Sequence, residues 1–471
     1  MKNKNIIARE QNFADWYTSV IKEAKLVEYG PVKGTMFFLP NGWAIWSMIQ
    51  NQIDKQFAKM GVKNIQLPLF IKEADFMKEK QHVEGFAPEL FIVSTNKKED
   101  LADRLVIRPT SEITFCQCFK TQLRSFNDLP ILYNQWCSVC RCEKNTRPFL
   151  RNTEFHWQEL HTIHASKQEA IAQTLATLKV YQEFVQDYLC MPVLAGEKTI
   201  NERFAGAEHT FTLEALMQDG QALQCATSHY LGQNFAKPYE VKYQTKDNKF
   251  DFPYQTSAGL STRIIGGLIM SHSDDNGLVL PFKVAPTQIA IIVVNANDKK
   301  TKDFIKKIKD LFDDKYRILV DDSDKSFGFK INKYQTQGVP FCLVVGQQEV
   351  EANEVTFIRR DSADKVKVGF KQLAKHLTDS IKDYQASLYN NALNRLNSSI
   401  VNVKNINQFK EVINNKKIAC AYFKDTIENE KKIKELTGAT ARCIKLSGVK
   451  GHKCFFTNEE ATDLVYFARA Y

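Results

Sequence analysis

Two strand-like segments around a basic turn, CEKNTRP at 142–148, carry the residues best able to do chemistry. From Leu132 to His164 the chain reads LYNQWCSVCRCEKNTRPFLRNTEFHWQELHTIH. Because side chains on an extended strand alternate between faces, Arg141 and Glu143 share one face of the first segment. One face of the second segment carries Arg151, Thr153, Phe155, Trp157, Glu159 and His161. This mixture is unusual for a buried core and favours a surface for an anionic ligand and a small cationic one over a solvated sheet face.

A second short segment offers groups suited to a cation. RPTSE, residues 108–112, sets Thr110 and Glu112 two positions apart, and hence on one face if the segment is extended. A hydroxyl beside a carboxylate is able to hold an ammonium ion. The alternative is that Thr-Ser-Glu only caps the helix that begins near Ile113.

A third segment supplies another arginine. In residues 256–281 we expect Gly259 to break a strand and Arg263 to open an apolar helix. Arg263 either points into the same pocket as Arg141 or caps a helix end.

Length and composition indicate a multidomain globular protein. The 471 residues are 44% hydrophobic and 25% charged, which suggests about two to four domains. No apolar run approaches the roughly 20 residues of a membrane span, and the N-terminus lacks the hydrophobic core of a signal peptide. We therefore expect a cytoplasmic protein, with its eleven cysteines reduced.

Charge and cysteine spacing limit the remaining function classes. With 64 Lys and Arg against 54 Asp and Glu, the net charge of +10 permits an RNA partner, although lysine-rich helices such as 299–309 account for part of it. Cys137 and Cys140 lie three apart on a predicted strand and so point to opposite faces, which disfavours metal chelation. No GxxxxGK[ST] phosphate loop occurs.

The first half of the chain should position these groups with helices around strands. Residues 12–29 and 41–60 look helical, and Gly61 is placed to end the second helix. The extended segment NIQLPLF contains Pro68, so it should lie at a sheet edge or a dimer contact, unless it is a plain connection. Turn residues in 82–91 predict an ordered loop and leave a role as a lid open. The stripe of the second helix consists of Trp46, Ile49, Ile53 and Phe57.

The later chain changes pattern twice. Residues 166–189 predict a helix with a capping box of Ser166 and Glu169. From about Val284, strands and helices alternate over roughly 100 residues, which describes a small α/β domain, and a lysine-rich third unit begins near Ile400. The buried stripe of the helix at 166–189 should be Ile171, Leu175, Leu178, Val185 and Leu189.

Several long motifs together resemble the prolyl-tRNA synthetases of the class II aminoacyl-tRNA synthetases, of the archaeal and eukaryotic-like type. NQWCSVCRCEKNTRPFLRNTEFHWQELHTIHAS resembles the second class II signature, GLSTRIIGGLIMSHSDDNGLVLP the third, and LPLF the first, which forms the family's dimer interface. YGPVKG, HVEGFAPEL, RPTSE and TSHYLGQNF resemble segments particular to the prolyl enzymes.

The resemblance implies an α+β multidomain protein. It has an antiparallel-sheet catalytic domain at 1–283, an α/β anticodon-binding domain at 284–395 and a small α/β C-terminal domain at 400–471. The implied reaction activates proline with ATP and Mg²⁺ to prolyl-adenylate and transfers the prolyl group to tRNA(Pro). The implied assembly is a cytoplasmic homodimer with no membrane partner.

The resemblance also implies a role for each candidate residue. Arg141 would hold the proline carboxylate against the α-phosphate of ATP, and Arg263 would hold the γ-phosphate; these two are the catalytic residues. The proline site would comprise Thr110, Glu112, Arg141, Phe155, Trp157, Glu159, His161 and His229. The ATP site would comprise Arg141, Glu143, Arg151, Asn152, Gln224, Thr227, Ser261 and Arg263.

The chain departs from the family pattern at several places. Asn152 and Thr153 stand where Thr-Arg is usual, in the segment that would contact the nucleotide. GVPFCLV at 338–344 and Tyr334-Gln335 replace the usual anticodon-binding residues, so the anticodon-reading residues stay open. The C-terminal zinc positions hold Lys424, Asn429, Thr457 and Cys454, and one thiolate makes no tetrahedral site, so we expect no zinc.

Two further expectations concern editing and the C-terminal residue. Only about 100 residues separate Glu159 from Gly259, which leaves no room for an editing domain, so mischarged alanyl-tRNA should need another protein. The C-terminal Tyr471 is expected to fold back toward the active site. The alternatives are a threonyl or histidyl synthetase, or a catalytically silent RNA-binding paralogue, which would have lost Arg141, Glu143 or Arg263.

Overall fold

A computed structural model describes residues 5–78, 90–97, 99–294, 298–312, 315–362 and 364–471. The predicted loop at 82–91 lies almost entirely outside these residues. The helices of the first unit are α1 Phe13–Glu23, α2 Pro40–Lys59, α3 Glu73–Phe76, α4 Glu112–Gln122, α5 Lys167–Asp187 and α6 Arg263–His272. Its strands are β1 Val27–Tyr29, β2 Met36–Phe38, β3 Lys63–Asn64, β4 Phe70–Lys72, β5 Phe91–Thr95, β6 Asp100–Ile107, β7 Ile131–Cys140, β8 Glu154–His164, β9 Val193–Glu197, β10 His209–Leu216, β11 Ala222–Gly232, β12 Tyr243–Gln244, β13 Phe250–Asp251 and β14 Tyr254–Ser261.

Two smaller units follow. The second contains β15 Ile289–Val293, α7 Lys299–Phe312, β16 Ile318–Asp321, α8 Phe327–Thr336, β17 Phe341–Val345, α9 Gln347–Ala352, β18 Glu354–Arg359, β19 Lys365–Gly369 and α10 Phe370–Ser399. The third contains β20 Ile400–Val403, α11 Ile406–Asn414, β21 Ile418–Phe423, α12 Ile427–Thr437, β22 Thr440–Ser447 and β23 Asp463–Ala468. In the described residues, no helix is long and apolar enough to cross a membrane.

An antiparallel sheet forms the centre of the first unit. Strands β9, β10, β11, β14, β8 and β7 lie side by side and pair antiparallel, and β3 adds a parallel strand at the edge next to β7. This arrangement confirms the α+β class predicted from the sequence. Helices α2, α5 and α6 pack their apolar residues on the sheet, so that Trp46, Leu178 and Ile265 belong to one buried cluster.

The third unit is not a separate layer, which the sequence did not predict. Its strand β22 pairs with β9 through Ile444 and Glu197, so one sheet of eleven strands runs from β20 to β3. At Gly196 the two strands approach so closely that an added Cβ would lie 2.3 Å from the Ile444 carbonyl oxygen. Only glycine is compatible with this approach.

The second unit has the predicted α/β pattern with a mixed sheet. Its strand order is β16, β15, β17, β18, β19, of which the first three are parallel and the last two join antiparallel. It is joined to the first unit at the end of α6, where Arg360 forms a two-pronged ion pair with Asp274. Leu278 also donates its backbone N–H to the Thr336 carbonyl at 3.0 Å.

Two helix predictions need correction. The predicted helix at 12–29 ends at Glu23, because Lys25 adopts a left-handed backbone with φ of 53°. Residues Val27–Tyr29 then pair with Met36–Phe38 as a two-stranded ribbon. On α5, Leu175 is 46% exposed, so the predicted apolar stripe is wrong there. The helix instead buries Ala170, Thr174, Thr177, Leu178, Tyr181, Phe184 and Val185.

Other local predictions had mixed outcomes. The stripe of α2 is buried as predicted, and Gly61 follows its C-cap residue with φ of 79°. Gly259 does not break a strand, since β14 continues through it to Ser261 while pairing with β8. The edge position expected for NIQLPLF holds for β3, but Pro68 itself lies in the connection to β4. The buried Arg108 binds that connection through the Leu67 carbonyl at 2.9 Å.

Candidate active site

A cavity of about 270 Å³ opens over the centre of the antiparallel sheet. Strands β8, β11 and β14 form its floor because their alternate side chains project to the same face. It is lined by Thr110, Glu112, Arg141, Phe155, Trp157, Glu159, His161, Glu202, Phe204, Thr210, Gln224, Cys225, Ala226, Thr227, His229, Ser257, Ala258, Gly259, Ser261 and Arg263. One hollow therefore receives residues from segments that are far apart in the chain.

Arg141 is the first residue after β7. Its backbone N–H donates to the Thr153 carbonyl at 2.8 Å, which continues the pairing of β7 with β8 for one more residue. Its side-chain Nε donates to the Pro109 carbonyl at 3.1 Å. The guanidinium carbon lies 5.4 Å from the ring centroids of both Phe155 and Trp157. Cation–π contact and the Pro109 hydrogen bond thus fix the plane of the guanidinium.

Arg263 is the first residue of α6 and lines the same cavity. Its Nε donates to the Leu150 carbonyl at 3.0 Å, and its backbone N–H donates to Ser261 Oγ at 3.3 Å. Burial, together with the nearby positive charges of Arg141 and Arg151, lowers the pKa of Arg263 to about 10. The guanidinium remains charged at neutral pH. An anion placed between these arginines would relieve both the desolvation and the repulsion.

The part of the cavity that follows Pro109 is acidic. Thr110 Oγ1 donates to Glu112 Oε2 at 2.6 Å. Ser111 is the N-cap residue of α4, yet its side chain makes no capping bond. It donates instead from its backbone N–H and its hydroxyl to the two oxygens of Glu159, at 3.1 and 2.6 Å. Capping therefore does not explain the Thr-Ser-Glu sequence.

Glu159 is the buried carboxylate that holds this end together. Besides Ser111, Gln135 Nε2 donates to its Oε2 at 2.7 Å, and His161 Nε2 lies 3.8 Å from its Oε1. Burial raises the pKa of Glu159, but contacts with His161, Ser111 and Gln135 outweigh burial and keep the pKa below its ordinary value. Glu159 is thus an ionised anchor for the segment that carries Thr110 and Glu112.

One wall of the cavity contains the ring of Phe204 and the neutral imidazole of His229. His229 Nδ1 lies 3.0 Å from Thr210 Oγ1, and its ring centroid lies 4.6 Å from that of Phe204. Burial, with smaller effects of His161 and Lys198, lowers the pKa of His229 to about 3. The imidazole is therefore neutral at physiological pH and suits an uncharged ring of a small ligand.

Between β7 and β8, the predicted site residues that follow Arg141 are not among those that line the cavity. Arg151 is 50% exposed at its side chain and its Nη1 lies 3.7 Å from Glu143 Oε2. Asn152 is buried, and its Oδ1 has no hydrogen-bond partner. Thr153 packs against Gly34, so it does not share the ligand-facing surface predicted for it.

Eight residues that line the cavity were not predicted as site residues: Glu202, Phe204, Thr210, Cys225, Ala226, Ser257, Ala258 and Gly259. The first two follow or end a single 3-10 turn, Ile200–Glu202, which gives no periodic pattern. Thr210 and Ser257 occupy strand positions on the floor, and only the register of β10, β11 and β14 reveals them.

The chain terminus returns to the first unit. The Tyr471 hydroxyl donates to Asp219 Oδ2 at 2.6 Å, and the guanidinium carbon of Arg147 lies 5.8 Å from the Tyr471 ring centroid. Tyr471 thus folds back against the basic turn, while the cavity lining does not include it.

At the C-terminal positions considered for zinc, Lys424 pairs with Glu459 and Asn429 donates to the Lys424 carbonyl. Among the described residues no cluster of three His, Cys, Asp or Glu is suited to a metal.

Family models match three consecutive parts of the chain. A tRNA synthetase class II core domain (G, H, P, S and T) matches residues 91–272. An anticodon binding domain matches residues 288–380, and a prolyl-tRNA synthetase C-terminal domain matches residues 406–471.

Whole-chain relatives agree with these models. A proline–tRNA ligase of Malacoplasma penetrans is 52% identical over 469 residues, covering 99% of this chain and 99% of the relative. One of Ureaplasma parvum is 49% identical over 472 residues, covering 100% and 99%. The crystal structure of prolyl-tRNA synthetase from Cryptosporidium parvum, complexed with halofuginone and AMPPNP, superposes with a TM-score of 0.94 at 33% identity, covering 99% of this chain and 96% of that one.

Proposed function

The chain belongs to the prolyl-tRNA synthetases of class II, and from this premise we propose how its cavity carries out ATP-dependent ligation of proline to tRNA(Pro). One observation carries the assignment of roles. Arg141 and Arg263 line one cavity together with the Thr110–Glu112 pair and a neutral His229. Cationic groups for phosphates thus adjoin an acidic and apolar pocket for a small imino acid.

Proline binds at the acidic end. The Thr110 hydroxyl and the Glu112 carboxylate receive its secondary ammonium, and the anchor Glu159 holds both in place through Ser111. The ring lies against Phe155, Trp157, His161 and His229. The neutral state of His229 supports this role, because a charged imidazole would repel the ammonium.

ATP binds at the cationic end, and the AMPPNP complex of the Cryptosporidium parvum enzyme supports an ATP site. Arg141 holds the proline carboxylate against the α-phosphate, and Arg263 holds the γ-phosphate. Gln224, Thr227 and Ser261 line the same cavity and contact the nucleotide. Glu143, Arg151 and Asn152, which lie beside the cavity lining, are assigned to the nucleotide, and the buried Asn152 Oδ1 has no hydrogen-bond partner among the described residues.

Adenylate formation needs no enzymatic nucleophile. The proline carboxylate oxygen attacks the α-phosphorus in line, the bond to the bridging oxygen breaks, and pyrophosphate leaves. Arg141 and Arg263 bind charge on the phosphate oxygens, so catalysis comes from positioning and electrostatic stabilisation.

Mg²⁺ fits the site as an ion shared with ATP. Such ions usually bind one or two carboxylates together with substrate phosphates. Glu143 supplies a partly buried carboxylate that acts electrostatically on Arg263, so it lies near the expected phosphates. When bound, Mg²⁺ would neutralise phosphate charge.

The second step transfers the prolyl group to the 3′-terminal adenosine of tRNA(Pro). The match of an anticodon binding domain to residues 288–380 supports contact of the second unit with the anticodon. We divide the chain into a catalytic domain at 1–283, an anticodon-binding domain at 284–395 and a C-terminal domain at 400–471. Cys454 is alone at the former zinc positions, so the C-terminal domain is proposed to lack zinc.

A homodimer in the cytoplasm is also proposed. Large apolar side chains stand exposed around the β1–β2 ribbon and the start of β4: Tyr29, Val32, Phe37, Trp43, Leu69 and Phe70. Exposed large apolar side chains in these segments favour a protein contact. Sedimentation at micromolar concentration tests the dimer.

Pyrophosphate exchange with each of the twenty amino acids tests the proposal. Proline should support exchange well above every other amino acid, and charging of total tRNA should then require proline and ATP. Exchange that depends on threonine or histidine would select another member of the class II core family. Absence of exchange with every amino acid would refute catalysis.

A further inference from the structure

One wall of the cavity is held by the C-terminal unit. The 3-10 turn Ile200–Glu202 leads from β9 into the cavity, where Glu202 and Phe204 face the ligand space. Thr199 Oγ1 donates to Glu430 Oε2 at 2.8 Å, and the Ile200 N–H donates to Asp425 Oδ2 at 3.1 Å. Both acceptors belong to the C-terminal unit, so the turn is tied to a part of the chain more than two hundred residues away.

Arg442 makes the third contact. It lies on β22, is 6% exposed, and its Nη2 lies 4.0 Å from Glu202 Oε2. Its Nε lies 3.3 Å from Glu214 Oε2, while Lys198 Nζ lies 2.8 Å from Glu214 Oε1. Two cations and two carboxylates thus form one cluster directly behind the cavity wall. The contact of Thr440 Oγ1 with Arg442 Nη1 at 2.7 Å fixes the guanidinium to its own strand.

The wall in turn supports the proposed proline pocket. The Phe204 N–H donates to Thr210 Oγ1 at 3.0 Å, and Thr210 contacts His229. Phe204 also packs against the His229 ring. A displacement of residues 199–204 would therefore move two groups that line the pocket for the imino-acid ring. The arginines at the phosphate end are bound instead to the Pro109 and Leu150 carbonyls.

We propose that the C-terminal unit positions the cavity wall at 199–204, with Arg442 as the main positioning residue, and thereby sets the affinity for the imino acid. This inference rests on the proposed function, since it assumes that the pocket beside His229 binds proline. Arg442 touches no substrate and acts through Glu202 and Glu214. Its loss leaves Glu214 paired with Lys198, so this buried carboxylate keeps a cationic partner.

The test compares Arg442→Met with Arg442→Lys and with Lys424→Met as a matched control. Lys424 adjoins Asp425, which binds the turn, but its own side chain forms an exposed ion pair with Glu459 in the same unit. In pyrophosphate exchange, Arg442→Met should raise the KM for proline about tenfold, because small misplacements of positioning groups are costly. The KM for ATP should stay within about twofold. Arg442→Lys should recover most of the proline affinity, and Lys424→Met should match the wild type.

A double variant separates positioning from a general loss of stability. If Arg442 acts through Glu202, Glu202→Gln should raise the proline KM alone, and adding it to Arg442→Met should give less than the product of the two effects. Equal increases in both KM values with a matching drop in melting temperature would overturn the inference, as would an unchanged proline KM in Arg442→Met. A wild type without proline-dependent exchange would instead refute the proposed function.

Discussion

Replacement of Arg141 by lysine probes the site most sharply, because it keeps the charge and removes the geometry. The guanidinium is held by the Pro109 carbonyl at 3.1 Å and by the faces of Phe155 and Trp157, each 5.4 Å from its carbon. A lysine ammonium has no planar fork with which to bind phosphate and carboxylate oxygens together.

The expected loss follows from these contacts. A charge-assisted hydrogen bond contributes about 1.5–3 kcal/mol, and an unmatched buried carbonyl costs about 1–3 kcal/mol. Weaker stacking on the two rings removes about 0.5–1 kcal/mol. Since these terms overlap, we expect a total of about 3–4 kcal/mol, or roughly 10²- to 10³-fold in kcat/KM for proline-dependent exchange.

The assay is proline-dependent pyrophosphate exchange with Arg141→Lys beside Arg124→Lys. Arg124 has an exposed side chain, so its substitution should change neither activity nor melting temperature. Because the fork serves the transition state, kcat should fall more than the KM for ATP rises. Exchange within about threefold of wild type in a folded Arg141→Lys would refute the bidentate role of this arginine.

Four other predictions concern stability, coupling, metal and editing. Burial, with the Glu202 and Asp425 carboxylates, raises the pKa of Glu430 to about 7, whereas an unfolded Glu titrates near about 4.3. Stability is therefore lost as pH rises from about 4.3 to 7, and Glu430→Gln should raise the melting temperature at pH 8 by a few degrees but much less at pH 5 in scanning fluorimetry. Arg360→Met breaks the two-pronged ion pair with Asp274 that joins the second unit to the first. Charging of tRNA should therefore fall about tenfold, while pyrophosphate exchange should change less than about twofold. Equal losses in both assays would contradict a role of this ion pair in coupling the two units. Elemental analysis should find zinc well below stoichiometric, because Cys454 lacks companion thiolates, and one zinc per chain would overturn this. The purified protein should not hydrolyse alanyl-tRNA, since residues 159–259 form only α5, short 3-10 and turn segments and strands, and measurable deacylation would show an editing site.

Local patterns predicted most of the elements that carry the site. Alternation along β8 correctly brought Phe155, Trp157, Glu159 and His161 to one face of the cavity. Thr110 and Glu112 both line the cavity, although Glu112 begins α4 and does not continue an extended segment, and the arginine at the start of α6 lies at the cavity. These features depend on neighbouring residues, which a sequence pattern records.

Features that depend on distant packing were not predictable. Thr153 lies two residues before Phe155, which would place it on the ligand face of an extended strand. However, β8 begins one residue later, and Gly34 packs against Thr153. Leu175 fits the periodicity of α5, but the sheet contacts a different side of that helix. The union of β22 with β9 joins two units through one residue pair, and no local signal records such a pairing.

A crystal structure with a non-hydrolysable sulfamoyl analogue of prolyl-adenylate tests the central claim most directly. The imino nitrogen should lie within about 3.5 Å of Thr110 Oγ1 or the Glu112 carboxylate, and the sulfamoyl group at the same distance from Arg141. The pyrrolidine ring should contact His229. An analogue bound outside this hollow, or one whose sulfamoyl group lies away from both Arg141 and Arg263, would contradict the account.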